Sequence, residues 1–132
     1  MIKKSIIKIL ICALMQLTLL FVLSPVYASE IQNPNAIYEI YKTENIYHVL
    51  KLNTRTGQIT QVQIGVGKDG YAMENVVNSK TLVSADEEQN GRFALYPTGN
   101  MYNFVLLDRI SGKVWQAQWS IKPENRGIIP IN

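Results

Sequence analysis

Residues 93–119 read Phe-Ala-Leu-Tyr-Pro-Thr-Gly-Asn-Met-Tyr-Asn-Phe-Val-Leu-Leu-Asp-Arg-Ile-Ser-Gly-Lys-Val-Trp-Gln-Ala-Gln-Trp. A related stretch stands 55 positions earlier, at residues 38–64, and aligns without a gap. Tyr41, Thr43, Asn45, Tyr47, Leu52, Gly57, Gln61 and Gln63 meet identical residues at Tyr96, Thr98, Asn100, Tyr102, Leu107, Gly112, Gln116 and Gln118. Other positions exchange like for like, as in Tyr38/Phe93, Ile40/Leu95 and Asn53/Asp108. A period of this size marks a duplicated structural unit.

Each unit reads as three strands. In the first they are about Ile37–Lys42, Ile46–Leu52 and Gln58–Val66; in the second, Arg92–Tyr96, Met101–Leu107 and Lys113–Ile121. The density of β-branched and aromatic residues, with period-two alternation between turn residues, carries this reading. In the third strand of the second unit Trp115, Ala117, Trp119 and Ile121 alternate with Gln116, Gln118 and Ser120. In the first unit Val62, Ile64 and Val66 alternate with Gln61 and Gln63. One apolar face buried and one polar face out is the expectation. Tyr102–Leu107 differs, because both its faces are apolar, which predicts a strand covered on both sides.

The turns agree with this plan. Asn53 and Asp108 open hairpin loops that Gly57 and Gly112 close, where positive φ is expected. Asn45 and Asn100 stand in the preceding turns, where a left-handed backbone is expected. Residues 67–91 have no partner in the repeat. Tyr71–Leu82 fits a short helix around Ala72–Asn78 or a strand around Thr81–Ser84, and irregular structure with one short strand is preferred. Gly127–Ile131 reads as a last short strand that Pro130 confines to an edge. The fold expected is all-β: two three-stranded antiparallel meanders (37–66 and 92–121) related by a pseudo-twofold, forming a small sandwich or partly closed barrel.

The N-terminal segment reads differently. Lys3, Lys4 and Lys8 precede an apolar run from Ile9 to Leu23, and Val26-Tyr27-Ala28 offers small residues for cleavage. Residues 1–28 are expected to be a secretory signal peptide, and 29–132 a single all-β domain. The chain is then exported, to the periplasm, the cell surface or the medium, and meets the membrane only during export. All ten Asp and Glu lie beyond residue 28, while three of thirteen Lys and Arg precede it. The chain beyond the leader is near neutral, so charge gives no case for nucleic acid. Its only cysteine is Cys12, so no disulfide is expected beyond the leader.

Single motifs carry little chemistry. Gly65-Val-Gly67-Lys-Asp-Gly70 spells a dinucleotide fingerprint, but that motif needs a βαβ unit, so a turn is expected. His48 is the only histidine and has Asn103 at its repeat position, which argues against metal or triad chemistry. Asp86-Glu87-Glu88 lacks the alternating oxygen ligands of a calcium loop. No catalytic residue, metal or cofactor is assigned. The candidate ligand-binding residues are the doubled glutamines Gln61, Gln63, Gln116 and Gln118, which can pair with amides or hydroxyls, and Trp115 and Trp119, which would offer a platform if exposed.

The run Asp108-Arg-Ile-Ser-Gly112-Lys-Val-Trp115 resembles the hairpin turns of quinoprotein-type β-propeller blades, over about ten residues per repeat. Gly91–Asp108, with Trp115–Trp119 and Arg126–Ile131, looks like a group of small exported bacterial proteins that carries no assigned activity. That resemblance implies export and an all-β fold and transfers no site residue. The function expected is an exported, non-catalytic binding or interaction module contacting a protein or a glycan. The alternatives are a small secreted hydrolase and a structural envelope protein.

Overall fold

The structure, a computed structural model, describes residues 33–132. The expected signal peptide lies outside the described residues. The strands are β1 (Tyr38–Lys42), β2 (His48–Asn53), β3 (Ile59–Gln63), β4 (Met73–Asn78), β5 (Phe93–Pro97), β6 (Asn103–Asp108), β7 (Val114–Gln118) and β8 (Gly127–Ile131). They form two antiparallel sheets in chain order, β1-β2-β3-β4 and β5-β6-β7-β8. Neither sheet closes into a barrel.

Each unit therefore has four strands, one more than the alternation predicts. The fourth strand of the first unit is β4, in a segment read as irregular structure with one short strand; that strand is expected around Thr81–Ser84 and stands at Met73–Asn78 instead. Its burial alternates poorly, with only Val77 and Asn78 buried, so the period-two signal is weak there. The first three strands of the two units correspond at a shift of 55: Tyr38 pairs with Asn53 as Phe93 pairs with Asp108, and His48 with Gln63 as Asn103 with Gln118. The fourth strands correspond at 54. Gln61 pairs with Asn75, whereas Gln116 pairs with Ile129. The connection before β8 is one residue shorter, and the ladder still selects the same pairing. β8 is an edge strand, as Pro130 requires.

The hairpin turns are set by their residues. Asn53 Oδ1 accepts from Arg55 N–H at 3.0 Å, and Asp108 Oδ1 accepts from Ile110 N–H at 2.9 Å. Gly57 and Gly112 take φ of +78° and +75°, which only glycine adopts without strain. Asn45 and Asn100 do not: every positive-φ residue described is a glycine. Their Oδ1 atoms instead accept from Tyr47 and Tyr102 N–H, both at 2.9 Å, so the side chain rather than a left-handed backbone makes the turn.

The core lies between the two sheets. From the first it takes Tyr41, Leu50, Leu52, Ile59 and Val77; from the second, Phe93, Leu95, Phe104, Leu106, Ala117 and Trp119. The two sets are not repeat counterparts. Leu50 and Leu52 correspond to Val105 and Leu107, which point to the other side of β6. Phe104 and Leu106 correspond to Val49 and Lys51. The two copies bury opposite faces, so the first sheet's front packs on the second sheet's back. A twofold would join the same face of both copies, and the expected pseudo-twofold is therefore replaced by a front-to-back stack.

Strand-by-strand residue choice explains this. The inward set of β2 is His48, Leu50 and Leu52, while Lys51 keeps the other side in solvent. In β6 the larger Phe104 and Leu106 win the core from Val105 and Leu107. The expectation that Val62, Ile64 and Val66 are buried against an exposed Gln61 fails for the same reason. Ile59 sets the inward register of β3, so Gln61 is buried while Ile64 and Val66 are exposed. Gln61 tolerates this because its Oε1 accepts from Ser120 N–H of the other unit at 3.2 Å. Ile121, expected on the buried side with Trp119, is exposed beyond the end of β7.

Candidate functional site

Stacking front to back leaves two sheet faces uncovered by the other unit. On the first sheet these are the side chains of Tyr38, Ile40, Val49, Lys51, Val62 and Val76. On the second they are Tyr96, Val105, Leu107, Gln116, Gln118 and Ile129. Strand pairing puts Tyr96, Val105, Gln116 and Ile129 in one row across the second sheet. Ile129 and Ile131 are 63% and 51% exposed, and no Asp, Glu, Lys or Arg of β5–β8 points to this side. Such an uncharged, half-apolar surface resembles the middle of a protein interface more than an ordinary solvated sheet.

A groove of about 350 Å³ runs along this face, lined by Gln116, Gln118, Gly127 and Ile129 with Glu124, Asn125 and Arg126 at its end. Gln116 Nε2 donates to Asn103 Oδ1 at 3.1 Å, which orients the amide across the strands. Arg126 is held by its own loop, with Nε donating to Ser120 O at 2.6 Å and an Nη donating to Ile121 O at 2.9 Å. A second groove of about 260 Å³ lies on the first sheet's open face, lined by Tyr38, Lys51, Thr60, Glu74 and Val76 among others. There Lys51 and Glu74 form an ion pair, and Thr60 Oγ1 donates to Glu74 at 2.5 Å. Lys51 and Thr60 together hold the Glu74 carboxyl below its usual range.

The six residues picked from sequence are divided between these surfaces and the core. Gln116 and Gln118 share the larger groove. Gln61 is buried between the sheets, and Gln63 lies partly buried on the same inward side. Trp119 is sealed in the core, where its Nε1–H donates to Met101 O at 2.8 Å. Trp115 is partly buried against that core and 6.2 Å from the Phe93 ring. Trp119 therefore presents no exposed ring, and Trp115 only part of one.

His48 is buried at the sheet junction. It stacks on Trp119 at 5.1 Å, and its Nδ1 has no hydrogen-bond partner. Burial, with Arg126 nearby, lowers its pKa from the ordinary value. No group of three His, Cys, Asp or Glu able to hold a metal occurs among the described residues. Gly67–Gly70 forms a turn closed by Gly70 N–H to Gly67 O at 3.1 Å, with a strand after it rather than a helix. Asp86 and Glu87 belong to a single helical turn capped by Ser84, and Glu88 pairs with Arg55 at 3.2 Å.

Two features are missed by sequence reasoning. Arg92 grips Asp108 through Nε (3.0 Å) and an Nη (2.8 Å), both buried. Burial opposes the Asp108 charge, but Arg92, Ser111 and two backbone amides outweigh it and hold the carboxyl far below the usual carboxylate range. Thr54 ties the two units: its N–H donates to Ile37 O (2.9 Å), its hydroxyl donates to Ala36 O (2.6 Å) and accepts from Gly91 N–H (3.0 Å), and its carbonyl accepts from Phe93 N–H (2.8 Å). Only the Thr54 backbone N–H bond is doubled, as Arg109 N–H to Arg92 O at 2.8 Å; the side chains are not (Ile37 and Asn53 stand for Arg92 and Asp108, Arg109 for Thr54), so the repeat does not mark them. Comparison with family models, with curated proteins and with solved structures gives no match.

Proposed function

We propose that this chain is an exported, non-catalytic interaction module that contacts another protein through its open sheet faces. The observation that carries the reading is the uncharged, half-apolar face of Tyr96, Val105, Gln116, Gln118 and Ile129. Burying such a face against a partner returns about 25 cal/mol for each Å² of apolar surface removed from water. The two grooved glutamines supply donors and acceptors that give register to a protein contact. Trp119, sealed in the core, offers no ring for a sugar to stack on, and Trp115 is only partly exposed, which weakens the glycan reading.

Cysteine labelling tests this. Ile129→Cys and, as a control away from the face, Lys113→Cys are introduced into the full chain. A small thiol-reactive probe is applied to intact producing cells and to the purified chain at nanomolar concentration. Protection of position 129 in cells alone, with position 113 labelled in both, is expected. Equal labelling of position 129 in cells and in dilute solution overturns the reading.

A further inference from the structure

The contact between the two units is front to back, and such a contact is not used up by two copies. Its two halves remain displayed at the ends of the stack. The open face of the second sheet is the repeat counterpart of the first sheet's buried face: Tyr96, Val105, Leu107, Val114 and Gln116 stand where Tyr41, Leu50, Leu52, Ile59 and Gln61 stand. The open face of the first sheet is the counterpart of the second sheet's buried face: Tyr38, Ile40, Val49 and Val62 stand where Phe93, Leu95, Phe104 and Ala117 stand. Each chain thus carries a worn copy of both sides of its own internal interface.

We propose that the open face of β5–β8 in one chain docks on the open face of β1–β4 in a second copy, repeating between chains the contact already made within the chain. This rests on the interaction-module reading and names its partner. Three observations point to a second copy rather than an unrelated protein. The geometry needed exists in the molecule, between sheets of the same sequence pattern. The exposed apolar side chains fall on both faces, with Ile129 and Ile131 on one and Tyr38, Ile40 and Val76, each more than half exposed, on the other. The strand β6, whose sequence predicts cover on both sides, is buried at Phe104 and Leu106 but only half-buried at Val105 and Leu107 among the described residues.

The doubled glutamine gains a role in this contact. Gln61 accepts from Ser120 N–H across the internal junction. Its counterpart Gln116 is set to accept from the N–H of Gly65 in the next chain, the counterpart of Ser120. The external contact is weaker than the internal one, because Lys51 and Glu74 stand where the core has Leu106 and Ile128. Their mutual pairing limits the cost of covering them. A front-to-back contact continues until its rotation closes a ring. Rings of four-stranded sheets close with about four to eight sheets, which is about two to four copies of this chain.

The test uses the full chain, expressed with its own N-terminal segment and purified in the form the host leaves, with Ile40→Asp on one face and Ile129→Asp on the other. Both positions are exposed, so circular dichroism should match the parent; Val76→Asp and Ile131→Asp are the second pair if either fails to fold. Sedimentation velocity from 1 to about 500 µM is expected to show concentration-dependent assembly of the parent, none of either variant alone, and a 1:1 dimer in their mixture, each lending the face the other lacks. A parent that stays monomeric, a variant that assembles alone like the parent, or a mixture that stays monomeric overturns the proposal. Protection of position 129 in cells together with a monomeric parent would leave the interaction-module reading standing and remove the second copy as its partner.

Discussion

Gln61 and Gln116 hold the same place in the two repeats, each opposite its β2 or β6 partner, yet Gln61 is buried between the sheets and Gln116 looks outward. One residue pair thus records that the copies are stacked front to back rather than face to face.

Truncation of matched residues separates these two packings. Leu50→Ala and Leu106→Ala should each cost about 2–5 kcal/mol, as buried large-to-small changes do. Their repeat counterparts, Val105→Ala and Lys51→Ala, should cost well under half as much in dilute solution, where those faces are open. Urea unfolding of the four variants measures this. Equal losses for Leu50 and Val105 would contradict the front-to-back stack.

Breaking the Arg92–Asp108 pair leaves a buried charge without its partner. Arg92→Met should destabilise by about 3–5 kcal/mol. The Asp108 carboxyl titrates lower in the folded chain than in the unfolded one. Its stabilisation is therefore complete above about pH 4, the unfolded range, and is lost as pH falls from there through the folded pKa. Arg92→Met, removing the largest opposing influence on burial, should flatten the acid side of the stability profile measured by denaturant midpoint.

His48 gives a second, milder pH dependence. Its folded pKa is lowered by burial, so folding favours the neutral ring. The contribution is complete above about pH 6.5 and is lost as pH falls toward the folded value. Denaturant midpoints should decline over that range, with Trp119 fluorescence changing in parallel because the rings stack at 5.1 Å. His48→Phe should remove this step and leave the Asp108 step below about pH 4 intact.

Two glycines of equal φ provide an internal control for backbone strain. Gly91 and Gly112 both sit at +75°. A Cβ on Gly112 meets nothing within 4 Å, so Gly112→Ala should cost only the left-handed strain, about 1–2 kcal/mol. A Cβ on Gly91 would stand 2.4 Å from Pro34 O, a backbone atom that cannot rotate away. Gly91→Ala should cost clearly more, and thermal unfolding of the two variants side by side will show it.

The strands and turns that the duplication covers are legible because their signals are local. Alternation and an Asx–Gly loop are read from neighbouring residues, and Gly57, Gly112, Asn53 and Asp108 behave as their types demand. The fourth strand is hidden at Met73–Asn78, where one polar residue in two does not coincide with one buried residue in two. The choice of face is not legible at all. β6 offers Phe104 and Leu106 on one side and Val105 and Leu107 on the other, and only the opposing sheet decides which pair is core. The candidate site inherits that ambiguity. Gln116 and Gln118 stand on an accessible surface and Gln61 does not, although the repeat groups all four glutamines together.

The pairing of unlike faces also bears on how such a chain can change length. A face-to-face pair is saturated by its second member, and a third would find nothing to bind. A front-to-back pair has a grammar like that of a brick course, in which every added unit presents again the surface it has just covered. Tandem copying of a 55-residue segment would then add a whole sheet through the kind of contact that Leu50 and Leu52 already make with Phe104 and Leu106.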